Sequence, residues 1–447
     1  MQLRSRVPKR HGNRECDPGE TFDRMRPHLA RVGITRLADV TGLDRIGIPV
    51  FNAIIPRSPD KLSVYNGKGA TAADARASAV MEAVERFAGW LPLRPDRIAS
   101  YAELVAADEP AIDPLSHNMQ PHPAYHEHRQ ISWVRGVDLL NQESVLVPLF
   151  LAGYFVRFHE LPCYRITTSN GIASGNTVEE AVCHALMEVL ERDDWTLADL
   201  ISNRLRTTVA TKLGATAPPG SVEWLEDHNR MIDLATLPTV AAGMAEQILD
   251  VGATLVVRDI RLDKDGGLPS FAALIAEDLG PTMSPGHAGY GTHPDPAVAV
   301  VRAITEAAQS RVTDIHGMRE DLSMAGDTVA RWNLHTQRAD TLAVGSWPFG
   351  TTGDALDFGS IAGAATDDVA ADIERLLAEV RSRGLNRVVA VDLSPPDVPA
   401  HVVRVIVPGL EQWSSDQGKL GPRATRRWDV ALRELIARRD QPVAATA

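Results

Sequence analysis

Short blocks of alternating hydrophobic and polar positions run along this chain, and they predict brief strands interleaved with a few longer helices. Glu20 to Ala30 reads as a short helix stopped by Gly33. Thr35 to Ile55 mixes β-branched residues with Gly42, Gly47 and Pro49 and reads as loop plus strand. Trp133 to Leu140 and Val145 to Phe150 predict two strands, with Asn141-Gln142-Glu143-Ser144 as their hairpin connection. Ala253 to Asp259 and Ser270 to Ala276 predict two more, around a turn at Asp265-Gly266-Gly267. Asp367 to Arg383 has helical periodicity and is closed by Gly384. Strands at Arg387 to Asp392 and His401 to Val407 follow, then a basic helix over about Ala424 to Arg439. The strands cluster between helices without a βαβ rhythm, so the expected class is α+β.

Composition narrows the functions. The 447 residues are 44% hydrophobic and 23% charged, enough apolar material for a large core. A net charge of −12 and a pI of about 5.6 argue against nucleic acid as the main partner. Cys16, Cys163 and Cys183 are three in number and have no C-x-x-C spacing, which removes a disulfide framework and a thiolate zinc site. The longest apolar run, Val145 to Val156, contains Pro148 and Gly153 and is too short to span a bilayer. Arg4, Arg6, Lys9, Arg10 and Arg14 are followed by no apolar stretch and so form no signal peptide, which points to the cytoplasm and to no membrane.

The chemistry lies in a repeated unit. Ser78-Ala-Val-Met-Glu82-Ala-Val-Glu85-Arg86 matches His184-Ala-Leu-Met-Glu188-Val-Leu-Glu191-Arg192 at a constant offset. A weaker third copy is Arg302-Ala-Ile-Thr-Glu306-Ala-Ala-Gln309-Ser-Arg311. Each helix follows a glycine-bearing loop: Asn66 to Gly69, Asn170 to Asn176, and Gly286 to Gly291. Each also has a helix start, Thr71 with Asp74, Thr177 with Glu180, and Asp295 before Pro296. Glutamates three apart share one helix face, and Ser78 lies one turn before Glu82 on that face. The helices are otherwise rich in Ala, Val, Leu and Met, so the pairs are expected to be buried. The arginines one residue beyond each pair project about 100° away and are expected not to neutralise it fully. Two such pairs together require raised pKa values or bound cations. Hard divalent ions favour such oxygens, and Mg²⁺ commonly shares them with nucleotide phosphates. Neither a P-loop nor a G-x-G-x-x-G turn after a strand is present.

With Thr41-Gly42-Leu43-Asp44-Arg45, Gly47-Ile48-Pro49-Val50 and Val407-Pro408-Gly409-Leu410-Glu411, these units resemble the YcaO superfamily from about Gly33 to Glu411. The resemblance implies a YcaO-type fold with the repeated loop–helix units around a nucleotide and Mg²⁺ site. It divides the chain into a flexible basic arm over 1–18, a catalytic domain over 19–412, and a C-terminal helix and tail over 413–447. It further implies that ATP phosphorylates a backbone amide oxygen of a peptide or protein substrate and that a nucleophile then replaces the phosphate. Residue by residue, Glu82, Glu85, Glu188, Glu191 and Glu306 match Mg²⁺ ligands, and Ser78, Asn176, Glu180, Arg192 and Arg302 match ATP contacts. Arg192 also reads as an ion-pair partner, Ser78 as a packing residue and Glu180 as a capping residue. Beyond the ATP and Mg²⁺ site the resemblance names no catalytic group here.

Three outcomes are open within the resemblance: thioamidation with external sulfur, azoline-forming cyclodehydration, and a non-catalytic ATP-binding scaffold. Many azoline-forming members end in a Pro-rich tail, whereas Gln441 to Ala447 holds one proline, so thioamidation with a TfuA-like sulfur-delivery partner is the expectation. A homodimer is the expected assembly. Cys163 and Cys183 are candidate sulfur relays, though Cys183 on an apolar helix also reads as inert packing.

Overall fold

The computed structural model describes all residues except 11, 57, 60–63, 155–161, 214–216, 218, 219, 265, 278–285, 318–353, 413–417 and 440–447. Parts of three expectations fall outside the described residues: the end of the apolar run at Val156, the turn residue Asp265, and the tail from Gln441. The chain forms two compact units, residues 1–192 with 364–419 and residues 193–363 with 420–447.

The first unit opens with α1 (Pro18–Met25), capped by the Asp17 carboxylate on the Gly19 N–H. The helix expected to reach Ala30 gives way at Pro27 to a 3₁₀ turn, and one further helical turn ends at Gly33 with φ of +89°. A three-stranded antiparallel sheet follows, made of β1 (Arg36–Asp39), β2 (Val50–Ile54) and β3 (Val64–Lys68). Helix α2 (Ala72–Trp90) starts at a reciprocal capping box between Thr71 and Asp74. A six-stranded antiparallel sheet carries β4 (Arg97–Ala99), β5 (Ile131–Asp138), β6 (Glu143–Pro148) and β7 (Ile172–Gly175), with β11 (Val389–Asp392) and β12 (His401–Ile406) from late in the chain. Its order is β4-β5-β11-β12-β7, with β6 paired to β5 in the expected hairpin. Ala79, Val80, Ala83, Val84 and Ala88 of α2 pack in one core with Tyr65, Val147 and Ile172. Helix α3 (Val178–Asp199) follows β7, and the division between the units falls within it.

In the second unit, α3 runs on into π-helical turns between Leu200 and Leu213. Helix α4 (Thr239–Asp250) precedes the antiparallel sheet β8 (Thr254–Asp259), β9 (Ser270–Ala276) and β10 (Gly286–Thr292). Every residue of β9 is buried. Helix α5 (Pro296–Gly317) begins as expected, with the Asp295 carboxylate on the Ala297 N–H and proline at the first position. The first unit resumes with α6 (Val369–Ser382), β11 (Val389–Asp392) and β12 (His401–Ile406), and the second unit ends on α7 (Pro422–Arg439). Among the described residues no helix is long and apolar enough to cross a membrane.

One expectation changes here. The glycine-bearing loops of the repeat are strands β3, β7 and β10, each running straight into its helix. Their glycines are what lets strand and helix touch. A Cβ on Gly67 would sit 2.0 Å from the Ala79 nitrogen and 2.2 Å from the Ala75 oxygen; on Gly291 it would sit 2.1 Å from the Ala299 oxygen and 2.6 Å from the Ala303 nitrogen. The corresponding position of the middle copy is Ala173. Gly69 and Gly175 repeat a second contact, onto Asp74–Ala75 and Glu180–Ala181. The repeat is therefore matched in three-dimensional contacts as well as in sequence.

Within residues 1–18, expected to be a flexible arm, several of the described residues are hydrogen-bonded along the first unit, where Arg4 and Lys9 meet buried carboxylates. The Val7 N–H donates to both Asp368 oxygens at 3.1 Å, Lys9 forms a buried ion pair with Asp372, and Arg4 reaches Glu179.

Candidate functional site

Helices α2 and α3 carry the two complete glutamate pairs, both in the first unit. Glu85 is buried, and β7 holds it: the Ser174 N–H donates to its Oε1 at 2.8 Å and the Ser174 hydroxyl to the same atom at 2.7 Å. Burial first, then the charge on Glu82, push the Glu85 carboxyl well above the ordinary carboxylate range, with Ser174 opposing and Glu188 adding to the rise. Glu82 goes the other way. Burial disfavours its charge, but Arg86, a hydrogen bond with Glu85 and the Lys68 charge together hold its carboxyl low. Of the two carboxyls, Glu85 thus holds a proton more tightly than Glu82.

Arg86 neutralises one member of the pair and leaves Glu85 raised. One residue beyond Glu85, it is also four beyond Glu82, and its Nε and Nη2 donate to Glu82 Oε1 at 3.1 and 2.9 Å. The same guanidinium lies 5.1 Å from the centre of the Tyr154 ring. The repeated spacing puts Arg192 four residues after Glu188, where its charge favours the Glu188 carboxylate.

Glu188 is half-buried and its carboxyl is pushed up to about 7. Burial is the first cause, Arg192 opposes it, and the charges of Glu82 and Glu191 add to the rise. Glu191 is buried at 3% exposure. These mutual effects place all four glutamates of α2 and α3 in one electrostatic neighbourhood. Ser78 stands half-buried on α2 one turn before Glu82.

Asn176 and Glu180 lie at the start of α3 and are held by residues the sequence reading did not single out. The Arg24 Nη2 donates to Asn176 Oδ1 at 2.7 Å, and Asn176 Nδ2 donates to Thr21 Oγ1 at 3.1 Å and Glu180 Oε2 at 3.2 Å. Glu180 also accepts from the Glu15 N–H at 2.7 Å and from the Asn176 N–H at 2.8 Å. Thr177 Oγ1 accepts from the Glu180 N–H at 3.2 Å, so half of the expected capping box forms and its other half is diverted to Asn176. Nothing in the local sequence marks Glu15, Thr21 or Arg24 as partners of residues more than 150 positions away.

Arg302 and Glu306 stand on α5 in the second unit, where the Tyr290 N–H of β10 donates to Glu306 Oε1 at 3.3 Å. In the same unit the Trp195 and Tyr290 rings stack with centroids 4.1 Å apart. The two buried candidate relays differ from a reactive thiol. Cys183 is 6% exposed and burial pushes its thiol up to about 12, and Cys163 is 2% exposed.

Among the described residues no three His, Cys, Asp or Glu side chains are gathered closely enough to hold a metal ion. The donor set nonetheless suits one. Carboxyls whose burial, and then mutual repulsion, raises two of the proton affinities are what a hard divalent cation relieves. Glu82 would have to exchange its Arg86 contact for the cation, whose charge would offset the rise in the proton affinity of Glu85.

Carboxylates that influence one another across two repeated helices, with arginines one turn on, are the donor types a cation- and phosphate-binding protein would use. Residues 66–411 match the model of the family described as YcaO cyclodehydratase, ATP- and Mg²⁺-binding. The chain belongs to the YcaO family, and ATP and Mg²⁺ are its cofactors. It is 35% identical over 424 residues to a Rhizobium leguminosarum bv. trifolii protein named as uncharacterized in the tfuA 3′ region, covering 92% of each chain. Its fold is similar to a heterocyclase in complex with substrate and cofactor, with TM-score 0.76, 22% identity and 99% of this chain covered. The chain spans 58% of the length of that heterocyclase. It is also similar to YcaO from Methanopyrus kandleri bound with AMPPCP and Mg²⁺, with TM-score 0.61, 23% identity, and coverage of 91% of this chain and 95% of that one. At these identities the two structures establish the shared fold alone.

Proposed function

We propose that this protein uses ATP and Mg²⁺ to activate a backbone amide of a peptide or protein by O-phosphorylation, and that external sulfur then replaces the phosphate to give a thioamide. The observation that carries the choice of sulfur is the relative from the tfuA 3′ region, which matches this chain over nearly its whole length. It supports a TfuA-like protein as the sulfur-delivery partner. The four glutamates of α2 and α3 support the site.

In this reading Glu82, Glu85, Glu188 and Glu191 hold Mg²⁺, while Ser78, Asn176, Glu180 and Arg192 contact ATP. For Arg302 and Glu306 we adopt the family roles, phosphate contact and carboxylate ligand. Bound Mg²⁺ supplies charge neutralisation on the transferring phosphoryl group. Ser174 fixes the Glu85 carboxyl from β7, so one ligand is oriented before the cation arrives. Arg86 and Arg192, each one turn after a ligand, limit the repulsion among the carboxylates. The amide oxygen leaves as phosphate oxygen, and sulfide bonds to the former carbonyl carbon. Sulfide is largely anionic near neutral pH and needs little help from a positioned base.

Cyclodehydration to an azoline is the second reading, favoured by the heterocyclase fold and the family's cyclodehydratase description. Intact-mass analysis separates them. Candidate peptides are incubated with enzyme, ATP, Mg²⁺ and the TfuA-like partner, with and without sulfide. A sulfide-dependent gain of about 16 Da is expected, whereas a sulfide-independent loss of about 18 Da moves the assignment to cyclodehydration. No change, with ATP bound but unspent, favours a scaffold.

A further inference from the structure

We infer that residues 4–10 with Arg14 and Glu15 form a clasp that sets the position of Asn176 and Glu180, and that Arg4 is a positioning residue for nucleotide affinity. The inference rests on the reading that Asn176 and Glu180 contact ATP. Its starting point is two adjacent acids, Glu179 and Glu180, in the first turn of α3, 0% and 2% exposed. Buried carboxylates remain charged only where donors replace water. The helix N-terminus contributes to both, but its effect is confined to the first turn and does not fix their direction.

Donors from the N-terminal segment do fix it. Glu179 accepts from the Arg4 backbone N–H at 2.6 Å, from Arg4 Nε at 3.2 Å and from Arg4 Nη2 at 3.0 Å. Glu180 accepts from the Glu15 N–H, and the Arg14 guanidinium lies 3.9 Å away. Between these two attachments the segment is tied to α6. The Asp368 carboxylate, which caps α6, also accepts from the Val7 N–H. Lys9 pairs with Asp372 and donates to the Thr366 carbonyl at 2.9 Å, and its N–H donates to the Asp367 carbonyl at 2.8 Å. The clasp therefore grips the starts of two helices through four carboxylates, Glu179, Glu180, Asp368 and Asp372.

Its consequence for ATP runs through α3. Glu180 Oε1 faces the segment, while Oε2 takes both nitrogens of Asn176. Releasing Arg4 leaves Glu179 buried without its guanidinium and frees the first turn of α3 to shift. Asn176 and Glu180 would shift with it.

Titration calorimetry of MgATP onto the full-length protein tests this, beside steady-state kinetics and hydrogen exchange of residues 176–182. Arg4→Ala should weaken MgATP binding about ten-fold, as misaligned polar contacts do. KM for ATP should rise by a similar factor while kcat changes less, exchange at 176–182 should quicken, and Arg4→Lys should restore most of the affinity. A purely structural role would lower the folded fraction and leave KM where it was. Should Arg4→Ala not fold, Arg4→Gln replaces it in the same measurements. Unchanged or tighter MgATP binding by a folded variant overturns the clasp. Absence of MgATP binding by the wild-type protein instead overturns the site reading on which the clasp rests.

Discussion

Replacing Glu188 with glutamine should make the nucleotide-free protein more stable, and more so as pH rises. The folded-state carboxyl titrates near 7 against an ordinary 4.5, chiefly because it is buried and secondly because Glu82 and Glu191 repel it beyond what Arg192 offsets. A folded pKa above the unfolded one means the native state binds the proton more tightly. Stability is therefore lost as pH rises from about 4.5 through about 7, and the full penalty is carried above that window. At ~1.4 kcal/mol per tenfold change in proton affinity, the ceiling is ~3 kcal/mol. Glu188 keeps some contact with solvent, which screens it, so ~1–2 kcal/mol is the expected gain for Glu188→Gln at pH 8. The gain should shrink steadily toward pH 5. The assay is thermal or urea unfolding of both proteins in chelator across that range. Adding MgATP should then reverse the order, because the variant has lost a ligand for the cation. Equal stabilities at every pH, or a less stable variant at pH 8, would refute the crowding of charge on which the metal reading depends.

Four further outcomes follow. Glu191→Gln or Glu85→Gln should abolish ATP turnover while the protein stays folded, since each removes a ligand charge worth a few kcal/mol in the transition state; near-wild-type turnover refutes the assignment. ATP should bind weakly in excess chelator and tightly with Mg²⁺ by calorimetry, and equal affinities contradict a shared cation. Gly67→Ala should cost ~1–3 kcal/mol or more, because its Cβ would overlap the backbone of α2 at 2.0 Å, and an unaltered unfolding midpoint refutes that contact. Cys183 should resist alkylation at pH 8 until the protein is unfolded, its thiol being pushed up to about 12; rapid labelling of the native protein would reopen it as a sulfur carrier.

How far these features could be read from the chain depended on the range of the interactions behind them. Ser270 to Ala276 was legible to the residue, because a fully buried strand is an unbroken apolar run bounded by turn signals. The glutamate pairs were legible because helical spacing is a local rule. The same rule held the Glu82–Arg86 pair, four residues apart, but attention to the nearer Glu85 hid it. Glycine misled at β3, β7 and β10. It signals a turn by default, and only the helix lying within contact distance explains why these strands carry it. Helix α4 was not identified, since Gly243 interrupts its pattern. The partners of Asn176, Glu179 and Glu180 were beyond reach, because they join residues 4–24 to residues 176–180 and nothing local encodes that encounter.

The central claim is that the amide oxygen itself attacks ATP. It is tested most directly by placing ¹⁸O in the carbonyl of the modified amide, using the peptide found by the mass screen, and analysing the inorganic phosphate released. Phosphorylation of that oxygen followed by its displacement predicts one ¹⁸O in phosphate for every peptide modified. Label that stays in the peptide or passes to water, with phosphate unlabelled, would contradict the account.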